Sequence, residues 1–188
     1  MELMTGFGLA SAAGLNAYIP LLSMGLLGRF TNLVHLPPGW SWLENGWVIG
    51  IVAVLLLIEI IADKIPALDT VNDTVQTFVR PTSGGIVFGS GAAAADFARS
   101  GQWVPVAIGV VTALVVHLTK TAVRPAANVA TAGVAAPVLS TLEDFTSAGL
   151  TFIAILIPAL VLVVLIALIW AAVWLLRRRR RRQSAGGR

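Results

Sequence analysis

The chain has no cysteine in its 188 residues, which excludes disulfides, thiol nucleophiles and thiolate metal ligands. Charge is scarce as well. Asp, Glu, Lys and Arg together make up 12% of the residues, about half the share found in an ordinary soluble domain. Histidine occurs twice and tyrosine once. The GxSxG nucleophile elbow, the HExxH zinc pattern and the phosphate-binding P-loop do not occur in the sequence. The DxxD-with-Gly signature of lipid-headgroup transferases is missing too. An enzyme is therefore the weaker expectation, and no cofactor is implied.

What the chain does have is apolar length. Hydrophobic residues make up 57% of it and the mean hydropathy is +0.86, values that belong to membrane proteins. The net charge of +4 is a local feature: Arg177–Arg182 and Arg188 supply seven positive charges. Without them the body of the chain is acidic, so no nucleic-acid partner is expected. The first residues, "MELMTGFGLASAAGLNAYIP", lack a basic start and read as part of the first span rather than as a signal peptide.

A bilayer crossing needs roughly 20 apolar residues. Four segments meet that length: Thr5–Leu27, Trp47–Ala62, Trp103–Val123 and Leu150–Leu176. Two shorter stretches rich in small residues, Thr82–Ala95 and Ala126–Leu142, cross or re-enter. The expected fold is an all-α polytopic transmembrane bundle with one domain over 1–176 and a disordered basic tail over 177–188. Trp40, Trp42, Trp47, Trp103, Trp170 and Trp174 fall near span ends, where indole rings favour the headgroup zone. The arginine run places the C-terminus in the cytoplasm. Six crossings then put both termini there, with the protein in the cytoplasmic (inner) membrane. Gly6, Ala10 and Gly14 form a small-residue stripe suited to close helix approach.

A weak internal repeat accompanies these spans. "TFVRPTSG" at Thr77 matches "TAVRPAAN" at Thr121, and "DFARSG" at Asp96 matches "DFTSAG" at Asp144. Each copy leads into a long apolar span, as in transporters built from repeats with broken helices.

The charges that remain are grouped. Glu59 and Asp63 stand four apart at the end of the second span, and Lys64 and Pro66 follow. Pro66 and Pro81 bracket a helical stretch in which Asp69, Asp73 and Arg80 share a face. That face reads either as a functional cluster or as the solvated side of a helix lying on the membrane. His117, Lys120 and Arg124 share another face, and Glu143 and Asp144 form an acidic pair before the last span. Ionisable groups at membrane depth are costly unless paired, which makes them candidates for function. Glu59 and His117 stand out because each follows a long charge-free run. Glu59, Asp63 and Lys64 are expected to meet Arg80 and Arg124 in one cluster. A weaker reading uses Asp63, Asp69 and Asp73 as ligands of a divalent cation.

Four blocks carry a resemblance: "AGLNAYIPLL" (Ala13–Leu22), "IEIIADKIPALDTVNDTVQTFVRP" (Ile58–Pro81), "HLTKTAVRP" (His117–Pro125) and "STLEDF" (Ser140–Phe145). In this order they resemble an uncharacterised bacterial membrane family, domain of unknown function 4126, over nearly the whole chain. The resemblance implies a membrane protein and no particular activity. The segment "ANVATAGVAAPVLSTLED" departs from the Ser-Pro-rich loop that the resemblance implies before the acidic pair. The expectation is a small transporter- or channel-like membrane protein that forms homo-oligomers and contacts membrane lipids, with anionic lipid at the arginine tail. A metal-dependent lipid-processing enzyme and a structural or lipid-binding protein are the alternatives.

Overall fold

A computed structural model describes residues 2–92, 103–131 and 135–185. These residues form seven α-helices, one 3-10 helix and no strand. The helices are α1 (Glu2–Leu15), α2 (Tyr18–Phe30), α3 (Gly46–Ala62), α4 (Pro66–Ala92), α5 (Trp103–Ala130), α6 (Ala135–Leu156) and α7 (Pro158–Ala185). The 3-10 helix, Pro38–Glu44, leads into α3, and Asn45 caps α3 by accepting the Trp47 backbone N–H. Helix α1 is the hub and packs against α4, α5, α6 and α7. It can be central because its middle is small: Leu9, Ala10, Ser11, Ala12 and Ala13 are all buried.

Of the four long spans, Trp103–Val123 stands as the candidate span Trp103–Ala122 within α5 and Trp47–Ala62 as helix α3, whereas the other two are broken. Thr5–Leu27 is broken at Asn16 and Ala17, and Leu150–Leu176 is broken at Ile157. Each break has a local cause. The Asn16 side chain accepts hydrogen bonds from the Tyr18 and Ile19 backbone N–H groups and so starts a new helix. Pro158 opens α7, and its ring prevents α6 from running on. Two helices are long and apolar enough to cross a membrane, Trp103–Ala122 and Ala136–Leu156. A third candidate arises if the 3-10 helix and α3, bent by 62°, count as one broken span.

The two short stretches are not separate elements. Thr82–Ala92 is the second half of α4, and Ala126–Leu142 straddles the junction of α5 and α6. Pro81 does not end its helix as the sequence reading expects, because α4 runs through it. Membrane-type packing tolerates such a proline, since neighbouring groups re-satisfy the backbone. Pro66 does open α4, directly after α3 ends at Ala62. Helix α7 continues through the arginine run to Ala185, in keeping with the high helix propensity of arginine.

Packing polarity is reversed relative to a soluble bundle. On α4, Gln76, Arg80 and Ser83 are buried, whereas Val71, Val75 and Phe78 are exposed, Phe78 to 75%. On α6, Ser140, Ser147 and Thr151 are buried, whereas Val138, Leu142 and Phe145 are exposed. On α5, His117 and Lys120 are buried beneath an outer face of Val111, Val115 and Leu118. In water this arrangement would waste apolar burial; in lipid it is the arrangement expected. Helix approach relies on small residues. A methyl placed on Gly84 would lie 2.7 Å from the Gly109 carbonyl oxygen, and one on Gly14 would lie 2.7 Å from that of Ala113.

Candidate functional site

The site is built where α3 ends, α4 is half complete and α5 nears its last turns. Helix α3 brings Glu59 inward and ends in Asp63 as its C-cap residue. Helix α4 supplies Asn72, Asp73, Gln76, Thr77 and Arg80, whose spacings of three and four keep them on neighbouring turns of one side. Helix α5 supplies His117 and Lys120, and α6 supplies Glu143 and Asp144.

Arg80 is at the centre and is fully buried. Its Nη2 donates to Glu59 Oε1 at 2.9 Å and lies 3.8 Å from Asp63 Oδ2. Its Nη1 lies 3.3 Å from His117 Nδ1. Asp63 is shared further: Asn72 donates to its Oδ1 at 2.6 Å, and Lys120 Nζ stands 3.7 Å from its Oδ2. Lys120 makes its closest ion pair with Glu143 at 2.8 Å. Four helices are thus joined by one run of charge, Glu59–Arg80–Asp63–Lys120–Glu143, buried as far as Lys120 and half-buried at Glu143. Beside it, Lys64 lies 3.8 Å from Asp144, which also accepts a bond from the Asn16 amide at 2.9 Å.

The same level holds the break between α1 and α2. Ser83 of α4 donates to the Ala17 carbonyl at 2.6 Å, and Ser147 of α6 donates to the Ala12 carbonyl at 2.9 Å. The Asn16 side chain satisfies the Tyr18 and Ile19 N–H groups that the interruption would leave bare, and the two serine bonds tie α4 and α6 to the break. Tyr18, the first residue of α2, and Gln76 of α4 are both buried.

The sequence-predicted residues divide as follows. Glu59, Asp63 and Arg80 meet as expected. Lys64 does not join them and pairs instead with Asp144, its side chain 38% exposed. Its Nζ also donates to the Ile60 carbonyl, so Lys64 turns back along its own helix. His117, Lys120 and Glu143 enter the cluster through Arg80 and Asp63. On α4 Arg80 is buried and Asp73 half-buried. The side chains of Asp69 and Arg124 lie outside the described residues, as do Asp96 and Arg99. Asp63, one of the three acids considered for a cation, is already flanked by Arg80 and Lys120, surroundings that repel a further cation. Among the described residues no three His, Asp or Glu side chains are grouped to hold a metal ion. Sequence reasoning missed Asn16, Tyr18, Asn72 and Gln76. The signal for Asn16 was present: an amide inside an apolar run has to satisfy its own polar groups.

No curated protein and no solved structure is significantly similar to the chain. A family model does match, over residues 3–178, and it spans every helix that contributes to the cluster. The chain belongs to the family described as Domain of unknown function (DUF4126).

Proposed function

We propose that this protein is a multi-pass helical membrane protein that conducts or carries a small ion or polar solute. One observation carries the reading: the run Glu59–Arg80–Asp63–Lys120–Glu143, buried from Glu59 to Lys120 across α3, α4 and α5 and reaching half-buried Glu143 on α6. Helices in lipid adhere through close packing of small residues and hydroxyl or amide bonds. This bundle already has both, at Gly84 against Gly109 and at Ser83 and Ser147. Full charges cost more to bury than those groups, so their presence exceeds what adhesion requires. A helix interrupted at the same level, between α1 and α2, adds a second feature of transport sites.

The arginine run after the last apolar helix supports a cytoplasmic C-terminus. The preferred setting is the cytoplasmic membrane with both termini inside the cell. The outward face of α3, with Trp47 84% exposed and Ile51, Val54, Ile58 and Ile61 also open, suits contact with lipid or with another copy in a homo-oligomer. Anionic lipid at the arginine run would add about 1 kcal/mol per residue near the surface.

The test is flux. Purified protein is reconstituted into vesicles that hold a pH-sensitive dye, or potassium- or chloride-sensitive dyes, and a membrane potential is imposed. Wild-type vesicles should show a flux that empty vesicles lack and that Lys120→Met reduces at least tenfold. Vesicles that stay silent for all three ions, while containing folded and correctly inserted protein, would overturn ion transport and leave a structural or lipid-binding role.

A further inference from the structure

Glu59 is 1% exposed, yet its carboxylate receives one hydrogen bond from the described residues. Its Oε1 accepts from Arg80 Nη2, and its Oε2 has no hydrogen-bond partner among the described residues. A guanidinium is able to satisfy both oxygens of a carboxylate side by side. Here the contact is end-on, because Arg80 is divided among three neighbours: Glu59, Asp63 and His117. The second oxygen is left bare in a buried place, where an unpaired polar atom is costly.

The neighbouring groups restrict where a proton can be held. Arginine has donors only, so His117 Nδ1 accepts from Arg80 Nη1. The ring proton is then on Nε2 and points to Thr77 Oγ1 at 3.0 Å. The Thr77 hydroxyl in turn donates to the Asp73 carbonyl at 2.9 Å. This fixes His117 as neutral with one tautomer, and a second proton on the ring would break its bond to Arg80. Glu59 Oε2 can take a proton without breaking any bond among the described residues, and Oε1 remains an acceptor for Arg80.

We propose that Glu59 is a proton-binding site in the membrane interior, taking up and releasing one proton at Oε2 while Arg80 shifts between Glu59 and Asp63. The proton comes from water and returns to it, and the O–H bond is the only covalent bond formed or broken. With Glu59 neutral, Asp63 is the stronger anion for Arg80 Nη2, which lies 3.8 Å away. With Glu59 ionised, the guanidinium returns to the 2.9 Å pairing. The groups facing this exchange are Asp63 on α3, Tyr18 on α2, Asp73 and Arg80 on α4, His117 and Lys120 on α5, and Glu143 through Lys120 on α6. Each shift of Arg80 toward Asp63 competes with Lys120 for the same carboxylate and presses Lys120 toward Glu143. A proton on α3 is thereby felt on α6. The inference rests on the membrane reading of the helices and not on any solute being carried.

Infrared difference spectra of the full chain in lipid vesicles, recorded from acid to alkaline pH in H2O and in D2O, provide the test. The wild type should show the carbonyl stretch of a protonated carboxylic acid in a dry setting, sensitive to D2O and lost as pH rises. Glu59→Gln should lack that band at every pH. Asp63→Asn keeps Glu59 but removes the carboxylate that competes with it for Arg80 Nη2, so the band should disappear at a pH at least one unit lower than in the wild type. This second variant decides the matter if Glu59→Gln does not fold. A band unchanged in Glu59→Gln, no acid band in the wild type, a loss that follows sodium concentration rather than pH, or an unmoved midpoint in Asp63→Asn would overturn the proposal. Silent vesicles in the flux assay would leave this result standing, so the two readings fail separately.

Discussion

Arg80→Met removes the central charge and keeps most of the side-chain volume. In the wild type the guanidinium contributes a 2.9 Å ion pair to Glu59, a bond to His117 at 3.3 Å and a 3.8 Å contact with Asp63. All of these are buried, and Arg80 is 0% exposed. Breaking a buried pair from one side leaves its partner uncompensated and costs about 3–5 kcal/mol. For a chain of this size, 1 kcal/mol corresponds to roughly 2–4 °C in melting temperature. A fall of about 6–20 °C in detergent is therefore expected, on that same scaling. The control is Arg29→Ala, which removes an exposed side chain bonded to the Glu44 carbonyl and should cost less than about 1 kcal/mol. The double variant Arg80→Met with Glu59→Leu removes both members, and it should regain much of the lost stability because no unpaired carboxylate remains. Thermal melts followed by tryptophan fluorescence give all four values. If Arg80→Met melts with Arg29→Ala, or the double variant is no better than Arg80→Met alone, the loss does not come from leaving Glu59 unpaired.

Three further outcomes follow from the packing, the cap and the tail. Gly109→Ala would drive a methyl into the Gly84 carbonyl and the Phe88 Cβ, an overpacking worth about 1–3 kcal/mol; Gly50→Ala, with nothing within 4 Å, should instead be neutral or stabilising by up to about 1 kcal/mol, and melts of the two variants should move in opposite directions or differ by several degrees. Asn16→Ala removes the cap of α2 and the bond to Asp144 together, so a loss of about 1–2 kcal/mol is expected, with faster amide hydrogen exchange at Tyr18 and Ile19 as the local sign. Replacing Arg177–Arg182 with Gln should disturb orientation more than stability, and a C-terminal reporter that stays fully cytoplasmic after the change would refute the anchoring role of the run.

Much of the cluster could be read in the chain, and what could not has physical reasons. Glu59 and His117 were conspicuous as lone ionisable residues after long apolar runs, and both are almost completely buried. Asp63 was placed at a helix end by Pro66, and it is there. The pairing of Lys120 with Glu143 was not legible, because it depends on how α5 and α6 cross rather than on spacing along one helix. Lys64 departs for a similar reason: it stands in the turn after the C-cap Asp63, where its ammonium pairs with Asp144. The span count failed because hydropathy averages over single residues. Asn16 and Pro158 each cut an apolar run, one by offering the backbone a substitute acceptor and the other by lacking a donor. Pro81 failed in the opposite sense, since a proline in a packed helix need not end it.

Reversed polarity links these observations. Between helices surrounded by lipid, apolar side chains bring no driving force, since hydrocarbon outside is equivalent to hydrocarbon inside. Cohesion has to come from close backbone approach and polar contact. The bundle concentrates both around α1: Gly14 lies against α5, Ser83 and Ser147 bond to carbonyls at its C-terminal break, and Asn16 reaches Asp144. The charged run passes outside that hub, through α3, α4, α5 and α6. Adhesion and charge are therefore carried by different residues on the same helices. Serine and glycine hold α4 to α1 and α5, and Arg80 remains free to choose between Glu59 and Asp63. A bundle held together by its ion pairs could not exchange them without loosening, whereas one held by its small residues can.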